Sequence, residues 1–235
     1  MLAGTVGLLA ALAGCRSVTR YEFRADQVTW PAPDRERAGY RERLATTVTT
    51  DHVATVEGVD TRTTVRSRLA VYEHEGGDLR APRPMVGVVS TPAASMDGRT
   101  LNPLARLPLA ALPGSERGRG FLGRVGLDRV GHLRTEPAWA QAPRELMTRP
   151  VTCLGQPASI ESYGGVLAGE PRSVAYLHLL RVEADSVVLP AAVHGRDVTR
   201  AAPLVGPDGY LGRERFEAAV ELFADACGAL RYYTP

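Results

Sequence analysis

The chain has 235 residues, 44% hydrophobic and 23% charged, with a formal net charge of +2 and three cysteines. That balance suits a folded domain and excludes wholesale disorder, and so small a charge gives no electrostatic case for a nucleic-acid partner. All 28 basic residues are arginine. Codon bias in a GC-rich genome explains this most simply, with an arginine-selective surface as the alternative. The arginines are spread from Arg16 to Arg231 among Asp and Glu, as on solvated faces. A tighter cluster at Arg117, Arg119 and Arg124 lies among glycines and reads as a loop.

Residues 2–12 carry no charge and run into Leu12-Ala13-Gly14-Cys15, after which Arg16-Ser17 turns polar. This is the order of a secretory hydrophobic region followed by a lipoprotein cleavage site. Small residues let the peptidase reach the bond, and the thiol of Cys15 accepts the diacylglyceryl group. The competing reading, a buried helix with an ordinary thiol, is weakened by Gly4, Gly7 and Gly14, each costing about 1 kcal/mol against Ala in a helix. A spanning helix needs roughly 20 apolar residues, more than the run supplies. The expectation is a signal peptide over residues 1–15 and a tether over 16–29. The membrane is then the partner, through lipid on Cys15, at the extracytoplasmic side. No Arg pair precedes the run, so the export route stays open.

With Cys15 lipidated, Cys153 and Cys227 remain as an even pair in an exported chain. A disulfide between them is permitted, while two separate buried thiols is the plainer expectation. Neither belongs to a CxxC motif, which argues against redox catalysis and zinc.

Taken in order, Tyr21, Phe23 and Val28 alternate loosely and suggest a first short strand. Trp30-Pro31-Ala32-Pro33 breaks it. Asp34 can cap a short helix through Ala38, which Gly39 closes. Over residues 44–56, Thr and Val recur with period two, as in a strand. Glu57-Gly58-Val59-Asp60 supplies a turn, and residues 61–75 alternate again. Thr63, Val65, Ser67, Leu69, Val71 and Glu73 take one side. Arg62, Thr64, Arg66, Arg68, Ala70 and Tyr72 take the other, as in a half-solvated hairpin. Residues 85–90 form an apolar run fit for a central strand. Asp97-Gly98 signals a turn, and Asn102-Pro103 a helix start. Residues 114–142 are rich in Gly and Arg and read as an insertion or lid. Strands are expected at 151–154, 158–163, 174–182 and 186–194, the last two joined through Glu183-Ala184-Asp185. Residues 214–229 read as an amphipathic helix, with Phe216, Ala219, Val220, Phe223 and Cys227 on one face. The fold class is therefore α+β: a mostly antiparallel sheet of hairpins, with the terminal helix packed on one face. Residues 30–235 make a single domain.

Three stretches carry a resemblance. They are Val89-Ser90-Thr91-Pro92, Asp97-Gly98-Arg99-Thr100-Leu101-Asn102-Pro103, and Val174-Ala175-Tyr176-Leu177-His178-Leu179. Together with the Leu12-Ala13-Gly14-Cys15 motif, they resemble an uncharacterised family of haloarchaeal lipoproteins. The resemblance spans most of the chain beyond Cys15 and implies an exported, membrane-anchored domain. It carries no activity with it.

The sequence carries no catalytic constellation. His52, His74, His132, His178 and His194 are scattered without i+2 or i+4 pairing, so no metal or other cofactor is expected. His178, within an apolar strand, reads as a core histidine with one satisfied nitrogen. No G-x-S-x-G elbow is present. Ser90 beside Thr91-Pro92 fits strand-end turn chemistry. Gly118-Arg119-Gly120-Phe121-Leu122-Gly123 matches G-x-G-x-x-G without a preceding strand, a weak match. Glu183 and Asp185 sit in a turn. The expectation is a non-enzymatic, lipid-anchored binding or accessory module. The alternative is an exported hydrolase-like enzyme with 114–142 as a lid, which requires a pocket joining His178 or His194 to Ser90, Cys153 or a carboxylate.

Overall fold

The structure, a computed structural model, describes residues 19–56, 59–76, 85–96, 99–100, 102, 144–167, 172–183, 186–198 and 213–233. Cys15, the 118–123 motif, the 114–142 segment, His132 and the expected helix after Asn102 lie outside them. The described residues are mostly strand, with a long helix near the C-terminus, and the class is α+β.

Strands β1 (Thr19–Arg24), β3 (Tyr40–Val56), β4 (Val59–His74) and β5 (Met85–Pro92) form one half of the principal sheet. Strands β8 (Arg144–Cys153), β9 (Gln156–Leu167), β10 (Arg172–Leu179), β11 (Val182–Glu183) and β12 (Ser186–Val198) form the other. The order along the sheet is β1-β4-β5-β12-β10-β9-β8, with β3 on the free side of β4 and β11 beside β12. All of these pairs are antiparallel except β1 with β4, which is parallel. A separate ribbon pairs β6 (Ser95–Met96) with β7 (Arg99–Thr100), placing Met96 opposite Arg99.

Strand β4 is flanked on one side by β3 along its whole length. On its other side β1 pairs with residues 61–66 and β5 with residues 68–73. The handover is marked by Ala25, whose N–H donates to the Arg66 carbonyl (2.9 Å) as the chain leaves the sheet. Residues 19–24, within the stretch read as a tether, are thus built into the sheet.

Helix α1 (Ala32–Arg37) starts after Pro31, with Asp34 in its first turn rather than at the cap. Pro33, in the first turn, has its φ pre-set for the helix, and Asp34 there complements the positive helix start. Gly39 follows at φ 76°, where a Cβ would lie 2.9 Å from His74 Nε2. Only glycine meets both demands without strain. The β8–β9 turn uses Leu154 at φ 53° and Gly155 at φ 75°. Two successive left-handed residues match the twist of a two-residue hairpin, so Gln156 and Pro157 belong to the strand rather than the turn.

Helix α2 (Arg213–Ala229) lies across one face of the sheet, mainly over β8. Phe216, Val220, Phe223, Ala226 and Cys227 are buried, while Glu217, Glu221 and Asp225 are exposed. Beneath α2 the core joins Phe223, Ala226, Cys227 and Leu230 to Cys153, Ile160, Leu180, Val182 and Val188. It continues through Val86, Val88, Ala70 and Tyr72 to Trp30 and Tyr40. The Trp30 N–H donates to Tyr72 Oη (3.1 Å), tying the segment before α1 to β4. Strand β13 (Arg231–Tyr232) pairs with β2 (Val28–Thr29), so the end of α2 is clipped to the start of the domain.

On the rim, Arg149 forks onto Glu221 (2.6 and 2.9 Å) and bridges β8 to α2. That hydrogen-bonded pairing holds the Glu221 carboxyl below its usual range. A depressed carboxylate adds stability above its unfolded pKa of about 4.3, and the contribution fades as pH falls through the lower folded value. The apolar side of the same helix matters far more. Phe223→Ala is expected to cost about 3–5 kcal/mol, and Glu217→Ala, on the exposed side, to stay within about 0.5 kcal/mol of the parent. Urea unfolding midpoints at constant m value measure both; equal midpoints would contradict the docking of α2.

Candidate functional site

Under α2, β10 delivers Tyr176 and His178 to the same face of the sheet, and β9 delivers Ser162 opposite His178. Ser162 Oγ and His178 Nδ1 are 2.9 Å apart, and both residues are wholly buried (0% exposed). The rings of Phe216 and Phe223 lie 5.8 and 6.1 Å from the imidazole, and Phe216 meets Tyr176 edge-on at 5.6 Å. A serine beside a histidine is the start of a nucleophilic dyad. Here both residues are fully buried beneath α2, and the pair makes a polar contact in an apolar core. His194 does not face His178: the register sets His194 opposite Tyr176 and His178 opposite Ala192.

Ser90, at the end of β5, is also buried and lies opposite Arg68 and Val188. Its neighbour Thr91 takes part in a second buried contact set on the other face. Ser67 Oγ lies 2.8 Å from Thr91 Oγ1, and the Asn102 side-chain amide donates to Thr91 Oγ1 (2.6 Å) and to the Pro92 carbonyl (2.7 Å). Asn102, read as a helix cap, spends its amide on fastening the end of β5. Among the described residues, Ser90 and Cys153 are not joined to His178 in an open pocket, and no cluster of three His, Cys, Asp or Glu is disposed for a metal.

The structure does bring Cys153 and Cys227 together. Cys153 ends β8, Cys227 lies in the last turns of α2, and both are free thiols with no exposure. Their neighbours agree: a Cβ on Gly228 would lie 4.0 Å from the Thr152 carbonyl oxygen. The thiols share a hydrogen bond, which draws Cys153 below its ordinary thiol range against the effect of burial. The same hydrogen bond, with burial and the charge of a Cys153 thiolate, pushes Cys227 well above it. Two neighbouring buried thiols are the starting point for a reversible bridge. Their sequence positions alone gave no hint of contact, because β8 and α2 meet only through the long-range fold.

A second assembly escaped the sequence reading. Along β1, β4 and β3 the register aligns Arg20, Arg62 and Val53, then Glu22, Thr64 and Asp51, then Arg24, Arg66 and Thr49. Arg68 and Thr47 complete the series, and Asp60 stands at its hairpin end. Positions two apart on a strand share a face, so five arginines and three carboxylates lie on one solvated surface. Arg62 pairs with Asp51 (2.7 Å), Arg66 with Glu22 (2.8 Å), and Arg24 with Glu22 (2.9 Å). The Arg68 guanidinium donates to Thr47 Oγ1 (2.7 Å). Alternation made the β4 arginines visible; the parallel pairing that adds Arg20 and Arg24 has no local signal.

Compared with known proteins, residues 27–225 match the profile of a domain of unknown function, DUF6517. No curated protein matches the chain.

The thiol pair yields a direct expectation. Mild oxidation of the folded chain with diamide should consume the Cys153 and Cys227 thiols together and link the two peptides in a non-reducing digest. A loop of about 75 residues would then be closed, raising unfolding stability by about 2–4 kcal/mol. Cys227→Ser should abolish the link. Thiols that stay free in the folded chain and react only on unfolding would show that the contact cannot close.

Proposed function

We propose that this chain, which belongs to the DUF6517 family, is an exported lipoprotein. In this reading Cys15 carries the anchor, and the α+β domain is held as a binding or accessory module at the outer face of the cytoplasmic membrane. The observation that carries the reading is the uncharged run of residues 2–12 ending in Leu12-Ala13-Gly14-Cys15. Small residues before a cysteine, followed at once by polar sequence, are what a lipoprotein peptidase and a sulfur-directed acyl transfer require. The resemblance of residues 89–92, 97–103 and 174–179 to haloarchaeal lipoproteins points the same way.

Two features of the domain support it. The family match begins at residue 27, beyond the address segment. The sheet begins at Thr19, with three residues between it and Cys15. Cysteine usage is also consistent: apart from Cys15, the chain's thiols are the buried, mutually contacting Cys153 and Cys227. That arrangement tolerates an oxidising compartment, where an exposed odd thiol would cross-link. Among the described residues, Ser162, His178 and Cys153 are buried and packed in the core.

Cys15→Ser should move the protein from the membrane fraction to the soluble or secreted fraction, and intact mass should lose the added lipid. Unchanged fractionation, or a wild-type chain that retains Met1 and carries no lipid, would overturn the anchor.

A further inference from the structure

We propose that the arginine-rich face of β1, β4 and β3 rests on anionic phospholipid, as a second membrane contact beside the lipid on Cys15. The proposal deepens the lipoprotein reading and rests on it for the choice of partner.

Three observations carry it. The first is position. Strand β1 runs parallel to β4 with Thr19 opposite Thr61, so its first residue lies at the hairpin end of β4. Four Cα steps separate Cys15 from Thr19, a reach of at most about 14 Å even when fully extended. An acyl chain on Cys15 therefore places this end of the sheet within about that distance of the lipid headgroups. The second is charge. The face holds Arg20, Arg24, Arg62, Arg66 and Arg68 against Glu22, Asp51 and Asp60. Arg20 stands directly opposite Arg62, an arrangement of like charges that costs stability within a sheet and that an anionic surface would relieve. Arg16 lies in the short link to Cys15. The third is shape and composition. The row nearest the anchor ends in Val53, which is 71% exposed on an edge strand. An apolar side chain beside arginines suits the headgroup boundary, where a bilayer takes both.

Nucleic acid is the other polyanion such a surface can meet. The tether length favours the bilayer, since every copy carrying lipid at Cys15 is delivered there. The diacylglyceryl group on Cys15 supplies the anchor, and a basic surface beside it adds a preference for anionic lipid. The contribution is on the order of fivefold in affinity per arginine near the surface, and it is screened within about 10 Å at moderate salt.

The test uses the full chain with vesicles of phosphatidylcholine alone and of phosphatidylcholine mixed with phosphatidylglycerol, read as the ratio of the two affinities. Any insertion by residues 1–15 is common to both vesicles and cancels. The expected result is a preference of at least tenfold for the anionic vesicles at low salt, vanishing at high salt. Arg20→Gln/Arg24→Gln/Arg68→Gln, which leaves the Arg62–Asp51 and Arg66–Glu22 pairs intact, should reduce that ratio to near one. The corresponding triple Lys variant should retain it. Equal binding of the wild type to both vesicles, or a Gln variant that folds and keeps the preference, overturns the proposal. Tighter binding to duplex DNA than to anionic vesicles at the same salt also overturns it. A chain without lipid that keeps the ratio refutes the anchor alone, and a lipidated chain without the ratio refutes this surface alone.

Discussion

The alternation of β4 is the constraint on which the rest of the domain depends. Its odd-numbered residues, from Thr61 through Val65, Leu69 and Val71 to Glu73, are buried along the whole strand. Its even-numbered residues divide: Arg62, Thr64, Arg66 and Arg68 are at least partly exposed, and Ala70 and Tyr72 are buried. Because the side-chain period of a strand is two, a slip of one residue would send every arginine inward. The division falls where β1 gives way to β5 as the neighbour of β4. One register therefore sets both the core under α2 and the solvated arginine face, and neither can shift without the other.

The buried odd face is less apolar than the opposite half of the core, and it is held by pairing of hydroxyls. Thr63, Ser67 and Thr91 lie among Val65, Leu69 and Val89. The Ser67–Thr91 contact and the Asn102 amide satisfy part of that set. A buried hydroxyl left without a partner costs about 1–3 kcal/mol, so Asn102 contributes to stability by fastening the end of β5. At the other end of β4, Glu73 is nearly buried and engages both Arg43 and Arg41 from the edge strand β3. Charges there also blunt an edge that would otherwise pair with another chain.

Much of this was legible in the sequence where the signal is local. The alternation of residues 61–75 identified which residues share each face of β4, but Ala70 and Tyr72, read on the half-solvated side, are buried where β5 pairs with β4. The i, i+4, i+7 and i+11 spacing of Phe216, Val220, Phe223 and Cys227 identified the buried side of α2. His178 was read as a satisfied core histidine, and Ser162 supplies the contact to its Nδ1. What the sequence hid was pairing at long range. The loose alternation at Tyr21 and Phe23 suggested a short strand, but nothing near it announces a parallel partner some forty residues later, so the stretch was assigned to a tether rather than to the sheet. The turn at Leu154-Gly155 was displaced by the proline at 157, which suggests a loop but occupies β9 beside β8. Cys153 and Cys227 meet because β8 and α2 are packed together, a consequence of the assembled sheet.

That distinction bears on how a nearly neutral chain can present a charged surface. A net charge of +2 over 235 residues argues against a polyanionic partner only if the charges are mixed in space as they are in sequence. Here they are not. Arg20 and Arg24 come from β1, and Arg62, Arg66 and Arg68 from β4, and the parallel register stacks them on one face. The acidic residues of α2, Glu217, Glu221 and Asp225, are exposed on the helix that covers the core away from those rows. Folding therefore separates charge that composition averages. Electrostatic attraction decays within about 8 Å in physiological salt, so a local excess acts on a nearby surface while the distant carboxylates are screened. In the lipoprotein proposed above, the lipid on Cys15 sets the nearest surface, and β1 brings Arg20 and Arg24 beside the arginines of β4.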